Sequence, residues 1–152
     1  MEVIFSNSNS LFFVDKAQLK NGLSIIKANL ASVLFSAWEL DEIKLKSLDP
    51  LVKKLINLGC KCFVCAGTYS ELLHDSIDNI ISDMSIGGRQ ENYRDIITSW
   101  HDTDSDDEVA DFFLYSMNVS NMVWLAFLDE GNSSDNRLKA AILKAIDESV
   151  RP

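Results

Sequence analysis

"CKCFVCAGTYSELLHDSIDNIIS", residues 60–82, decides the fold. Its first eight residues, to Gly67, form a nearly unbroken apolar run with no polar alternation. A strand of that kind is covered on both faces, as in parallel sheets. The remainder has a different period. Leu73, Ile77, Ile80 and Ile81 fall on one face of a helix. Between the two, Thr68 and Glu71 have the spacing of a capping box. The stretch reads as a strand, a polar turn and a helix, which is one arm of a β–α–β unit.

The same pattern recurs on both sides. "ASVLFSAWEL", residues 31–40, is a strand by the same criterion, and "SLDPLVKKLINLG" follows it. There Asp49 is expected to cap, with Pro50 at the first helical position and Gly59 at the stop. "DIITSW", residues 95–100, is a third strand. Behind it Ser105 and Glu108 make a second capping box, with Val109, Phe112, Phe113, Ser116 and Met117 on the helix face. "NMVWLAFL", residues 121–128, is the fourth strand. The last helix is expected to be capped by Ser133, Ser134 or Asp135 and to turn Leu138, Ile142, Ala145 and Ile146 inward.

Four strand–helix repeats imply right-handed crossovers. The expected fold is α/β: a three-layer sandwich, Rossmann-like or flavodoxin-like, with a mainly parallel sheet of four strands or slightly more. The expected order of the four is 2-1-3-4. Its 152 residues fit a single domain over 1–152. Residues 1–30 form an N-terminal extension in which "EVIF" and "LFFV" suit a hairpin around "SNSNS". A helix over 15–30 is preferred to a turn at Asn21–Gly22. "SDMSIGGRQENY", residues 82–93, reads as a loop.

Composition narrows function. The net charge is −9, which repels nucleic acid and anionic membrane and suits a basic protein partner. No apolar run reaches membrane-span length. The N-terminus has no basic n-region, and three clustered thiols make no disulfide framework, so a cytoplasmic location is expected. Cys62 and Cys65 spell C-x-x-C but lie within a strand, on opposite faces, so Cys60, Cys62 and Cys65 read as core residues. No glycine-rich phosphate loop and no G-x-S-x-G elbow occurs, and no cofactor is expected. No metal-ligand spacing is present either.

Ligands of parallel sheets bind beyond the carboxyl ends of the strands. Those ends supply Glu39, Tyr69, Trp100, His101, Asp102, Asp104, Asp106, Asp107, Asp129 and Glu130 as candidate binding residues. His101 beside Asp102, with His74, is the candidate catalytic set, because an imidazole next to a carboxylate can act as a general base. The plainer alternative is a surface histidine beside a helix cap. Trp38, Trp100 and Trp124 fall in strands, where packing is the default; an exposed Trp38 or Trp100 ringed by carboxylates would act as a binding anchor.

"CKCFVCAGTYSELLHDSIDNII" and "IITSWHDTDSDDEVADFFLYSM" together resemble a family of small bacterial α/β proteins of uncharacterised function. Its members carry a strand ending near glycine, a helix with a His/Asp or Trp/Asp pair, and a T-[ST]-W-H-[DE] turn leading into [DE]-E-x-x-x-F. The matching residues are Gly67, His74, Asp75, Thr98, Trp100, His101, Asp102, Glu108 and Phe112. The likeness spans about residues 30–148 and implies the α/β fold and the importance of the Trp–His–Asp turn. It brings no activity, substrate or cofactor. A looser likeness, in composition alone, is to bacterial toxin-immunity proteins.

The favoured function is therefore a non-enzymatic acidic binding protein, an immunity-type inhibitor of a basic bacterial toxin such as a nuclease. The alternative is an enzyme or small-ligand-binding domain using the His101/Asp102 rim. A plain interaction domain is the third reading.

Overall fold

The structure, a computed structural model, describes residues 2–16, 29–88 and 93–150. Its strands are β1 (Glu2–Phe5), β2 (Asn9–Asp15), β3 (Leu30–Ser36), β4 (Cys62–Ala66), β5 (Ile97–His101) and β6 (Val123–Leu128). The described helices are α1 (Glu42–Asn57), α2 (Ser70–Gly87), α3 (Asp106–Tyr115) and α4 (Ser133–Ser149). The six strands form one sheet in the order β1-β2-β6-β3-β4-β5. Among the described strands only β1 is antiparallel to its neighbour; every other pair is parallel.

Two apolar layers cover the sheet. Val33, Phe35, Phe63, Cys65, Leu125 and Phe127 point to one face, under α1 and α2. Leu34, Cys62, Val64, Trp124 and Ala126 point to the other, under α3 and α4. Alternation along each strand thus feeds both cores, which makes a three-layer α/β arrangement. Cys62 and Cys65 fall in opposite layers, and all three thiols are buried. Burial pushes each thiol up from its ordinary value.

The four strands read from sequence are parallel, but their order is β6-β3-β4-β5, not the expected β4-β3-β5-β6. Handedness explains the layout. β3, β4 and β5 are laid down in one direction, so α1 and α2 share a face. The chain then returns through α3 to the far side of β3, and α3 and α4 occupy the opposite face. Polarity explains why β5 is an edge. A strand covered on both faces and both sides would bury Thr98, Ser99 and His101; at the edge they stay partly solvated.

The N-terminal segment is more than an extension. β1 and β2 form the expected hairpin, joined by a 3-10 turn in which Asn7 and Ser8 have positive φ. β2 also pairs in parallel with β6, from Ser10↔Val123 to Asp15↔Leu128. Of the helix expected over 15–30, Asp15 closes β2 and Leu30 opens β3, and positions 17–28 lie outside the described residues.

Three helix starts differ from expectation. α1 is capped by Asp41, whose side chain accepts the Lys44 N–H, and Pro50 lies inside the helix. Leu45 and Leu48 pack on the core in the same stripe as Val52 and Leu55, so the burial they add favours the longer helix. Pro50 is exposed, where water can solvate the carbonyl its missing N–H leaves open. The Thr68–Glu71 box does not form. The Tyr69 N–H instead donates to the Ala37 carbonyl, which ties this turn to the exit of β3. α4 is capped by Asn132, which accepts from the Ser134 and Asp135 N–H groups. The Ser105–Glu108 box is present in full. Residues 82–87, expected as loop, continue α2.

Candidate functional site

β3 and β6 lie side by side, yet the helices that follow them, α1 and α4, leave to opposite faces. Their carboxyl ends cannot both be covered by one helix, and a crevice opens there. It encloses about 320 Å³. Buried Phe35, Leu73 and Phe127 form an apolar wall, extended by Leu40 and Leu48; the rim carries Glu39, Lys44, Ser47, Asp129 and Asn132.

One carboxylate organises the crevice. Asp135, in the first turn of α4, has 0% exposure. Its Oδ2 accepts the Ser36 hydroxyl at 2.9 Å and the Asp129 N–H at 2.6 Å; its Oδ1 accepts the Trp38 indole N–H at 2.9 Å. The Lys16 ammonium lies 3.8 Å from Oδ2 and donates to the Ser36 carbonyl at 2.7 Å. Lys16 leaves the end of β2, so its side chain reaches across the end of β6 to β3. Burial lowers the Lys16 pKa, an effect that the Asp135 charge opposes. A buried carboxylate is tolerable only with such a full set of donors.

Gly67 shapes the neighbouring wall. Its φ is +107°, and a Cβ there would come within 3.0 Å of Trp38 Cδ2 and 3.1 Å of the Ala37 carbonyl. Glycine lets the β4–α2 turn close against the Trp38 indole.

Of the residues chosen from sequence, Glu39 and Asp129 line this crevice. Glu130 is exposed beside it, and its carbonyl accepts from Asn136. Tyr69 is exposed at the start of α2. The remainder gather at β5, two strands away. There the two histidines part: His74 packs edge-on against Trp100 on the α2 side, with ring centroids 4.5 Å apart, while His101 lies on Phe112 on the α3 side. His74 bonds to Asp75 at 3.0 Å and approaches Asp78 at 3.5 Å. His101 does not pair with Asp102. Its Nδ1 bonds to Asp104, because the turn swings Asp102 out and brings Asp104 back under the ring. Asp106 and Asp107 are held by Arg137 and Lys144 of α4, at 3.6 and 3.2 Å. Trp100 is 44% exposed. Among the described residues no group of three His, Cys, Asp or Glu side chains is placed to hold a metal. No helix among them is long and apolar enough to cross a membrane.

Sequence reasoning missed Ser36, Trp38 as a donor, Lys16, Lys44, Asn132 and Asp135. The available signal was a first-turn aspartate placed seven residues after a buried strand, facing a serine and a tryptophan at the end of another.

A mostly parallel sheet covered by helices on both faces defines the class of three-layer α/β proteins. Within that class, the chain belongs to the family described as a domain of unknown function, DUF7684, whose model matches residues 15–145. No curated protein matches the chain.

Proposed function

We propose that this protein is a small-ligand-binding domain and that the β3–β6 crevice is its binding site. The observation that carries the reading is the Asp135 cluster. Four groups, Lys16 just past β2, Ser36 and Trp38 at and after the end of β3, and the Asp129 N–H of the β6–α4 turn, converge on the buried Asp135 charge of α4 at the mouth of an apolar hollow. Fixed polar groups beside an apolar wall are the usual makeup of a ligand pocket, and about 320 Å³ is within the range such pockets occupy. Kinship with Rossmann-like and flavodoxin-like sheets is proposed on the reversal point, since the strand order differs from both. The wall suits an apolar body. The rim, with Lys16 and Lys44 facing Glu39 and Asp129, suits a head group with both charge signs or several hydrogen-bonding groups.

The test is a fragment screen read by amide NMR shifts. Shifts are expected at Ser36, Trp38, Asp129 and Asn132, and Leu48→Trp, which fills the hollow, abolishes them. Fragments that shift only β5 residues, or that bind Leu48→Trp equally well, refute the assignment.

A second reading keeps support of its own: an inhibitor of a basic toxin domain, docking through the β5 end. Trp100 is a half-exposed indole resting on His74, whose imidazole is held by Asp75 and Asp78, the pattern of an aromatic anchor beside a charged rim. Purification of the native complex decides it. A basic partner whose affinity survives Trp100→Ala unchanged removes this reading.

A further inference from the structure

Ser99, His101 and Asp104 form a hydrogen-bonded line on the α3 face of β5, apart from the crevice. Ser99 Oγ is 3.1 Å from His101 Nε2, and His101 Nδ1 bonds to Asp104 Oδ2. Strand alternation puts residues 99 and 101 on one face. The turn after β5, pinned by the Ser105–Glu108 box, returns Asp104 to the ring. Phe112 packs on the imidazole at 4.8 Å, and only 8% of the His101 side chain is exposed, so the ring is held in one orientation.

The order of atoms matters. A carboxylate only accepts, so the Nδ1 proton belongs to the bond with Asp104. In the neutral ring Nε2 then carries the lone pair, and the Ser99 hydroxyl donates to it. This is the connectivity of a serine nucleophile, its base and the group that orients the base.

We propose that this line is a nucleophilic acyl-transfer site acting on neutral or cationic esters. Ser99 is the nucleophile, His101 the general base and Asp104 the positioning residue. Ser99 Oγ bonds to the carbonyl carbon as its proton passes to His101 Nε2. The bond to the leaving alcohol then breaks, and that alcohol takes the proton from Nε2. Water repeats the two steps, which releases the acid and frees Ser99. The Ile97 N–H and His101 carbonyl face β4, so by alternation the Trp100 N–H faces out from the sheet edge. It is the backbone donor next in chain to the nucleophile, available to an oxyanion. Asp102, Asp104 and Glu108 around the turn make it hostile to phosphate esters and other anions, which sets the substrate class.

The test uses the full chain and a neutral alkyl fluorophosphonate. The Ser99 O–P bond forms, the P–F bond breaks, fluoride leaves and the proton passes through His101 to solvent. Intact mass and peptide mapping are expected to find one adduct per chain, on Ser99. His101→Gln is expected to slow labelling by at least about 100-fold. Asp104→Asn should slow it while circular dichroism stays native. Should His101→Gln fail to fold, the wild-type pH profile decides, since base assistance requires labelling to fall in acid. A native protein left unlabelled at Ser99, labelling unchanged in a folded His101→Gln, or a flat pH profile overturns the proposal.

Discussion

Replacing Asp135 by alanine removes the acceptor shared by the Ser36 hydroxyl, the Trp38 indole and the Asp129 N–H, and strips Lys16 of its nearest counter-charge. Ser36 is buried, so its hydroxyl cannot turn to bulk water. Each buried donor left unpaired costs about 1–3 kcal/mol. The crevice admits water to the half-buried Trp38 and Lys16, which reduces their share, and breaking a buried ionic cluster typically costs about 3–5 kcal/mol. The expected loss is therefore about 3–5 kcal/mol. With a urea m-value of about 2 kcal/mol/M, the midpoint falls by roughly 1.5–2.5 M. Asp135→Asn keeps the shape and one oxygen but turns an amide N–H₂ toward one of the donors; a loss of about 1–3 kcal/mol is expected. The assay is urea unfolding followed by far- and near-ultraviolet circular dichroism, with the slope checked for constancy. A loss under about 1 kcal/mol for the alanine variant, or equal losses for the two variants, refutes the idea that Asp135 holds the crevice together.

Three further outcomes are expected. Alkaline pH destabilises the fold through the buried thiols: above the ordinary thiol value of about 8.5 the unfolded chain sheds protons that the native one keeps, so stability falls as pH rises. The slope approaches about 3 kcal/mol per pH unit for Cys60 and Cys65, with Cys62 acting in the same sense, partly offset near pH 10 by Lys16, whose lowered pKa works in the opposite sense; urea midpoints unchanged from pH 8 to about 10 in reductant contradict it. Gly67→Ala costs about 1–3 kcal/mol from the positive φ alone and perturbs the near-ultraviolet signal of Trp38; a native spectrum at full stability refutes the close approach. Ser105→Ala costs about 1 kcal/mol by thermal or urea unfolding, and a neutral result shows that α3 does not depend on its box.

Local chemistry was legible and distant adjacency was not. The apolar runs of β3, β4 and β6 announce strands buried on both faces, and Ser105 and Glu108 announce the start of α3, because those signals lie within a few residues of one another. Strand order is a property of the whole chain. β5 was expected inside the sheet, although Thr98, Ser99 and His101 already spoke for an edge, where a polar strand need not bury its side chains. That misplacement hid the contact of β3 with β6, and with it the crevice. Asp135 illustrates the limit. A first-turn aspartate is ordinarily a solvated partner of the helix dipole. Its burial follows from Ser36 and Trp38, 99 and 97 residues away in the chain, arriving at the same point. His101 shows a milder form: the neighbour in sequence, Asp102, was the expected partner, and the turn delivers Asp104 instead.

The three tryptophans occupy three different optical environments. Trp124 is wholly enclosed and donates to the Phe113 carbonyl; Trp38 is half enclosed with its N–H on a carboxylate; Trp100 stands in water against an imidazole. A collisional quencher in solution meets Trp100 first and Trp124 last. A molecule entering the crevice touches the Trp38 indole and neither of the others. In a Trp100→Phe background, the change in emission on titration therefore belongs to one ring, and the protein carries its own reporter of occupancy without an added dye.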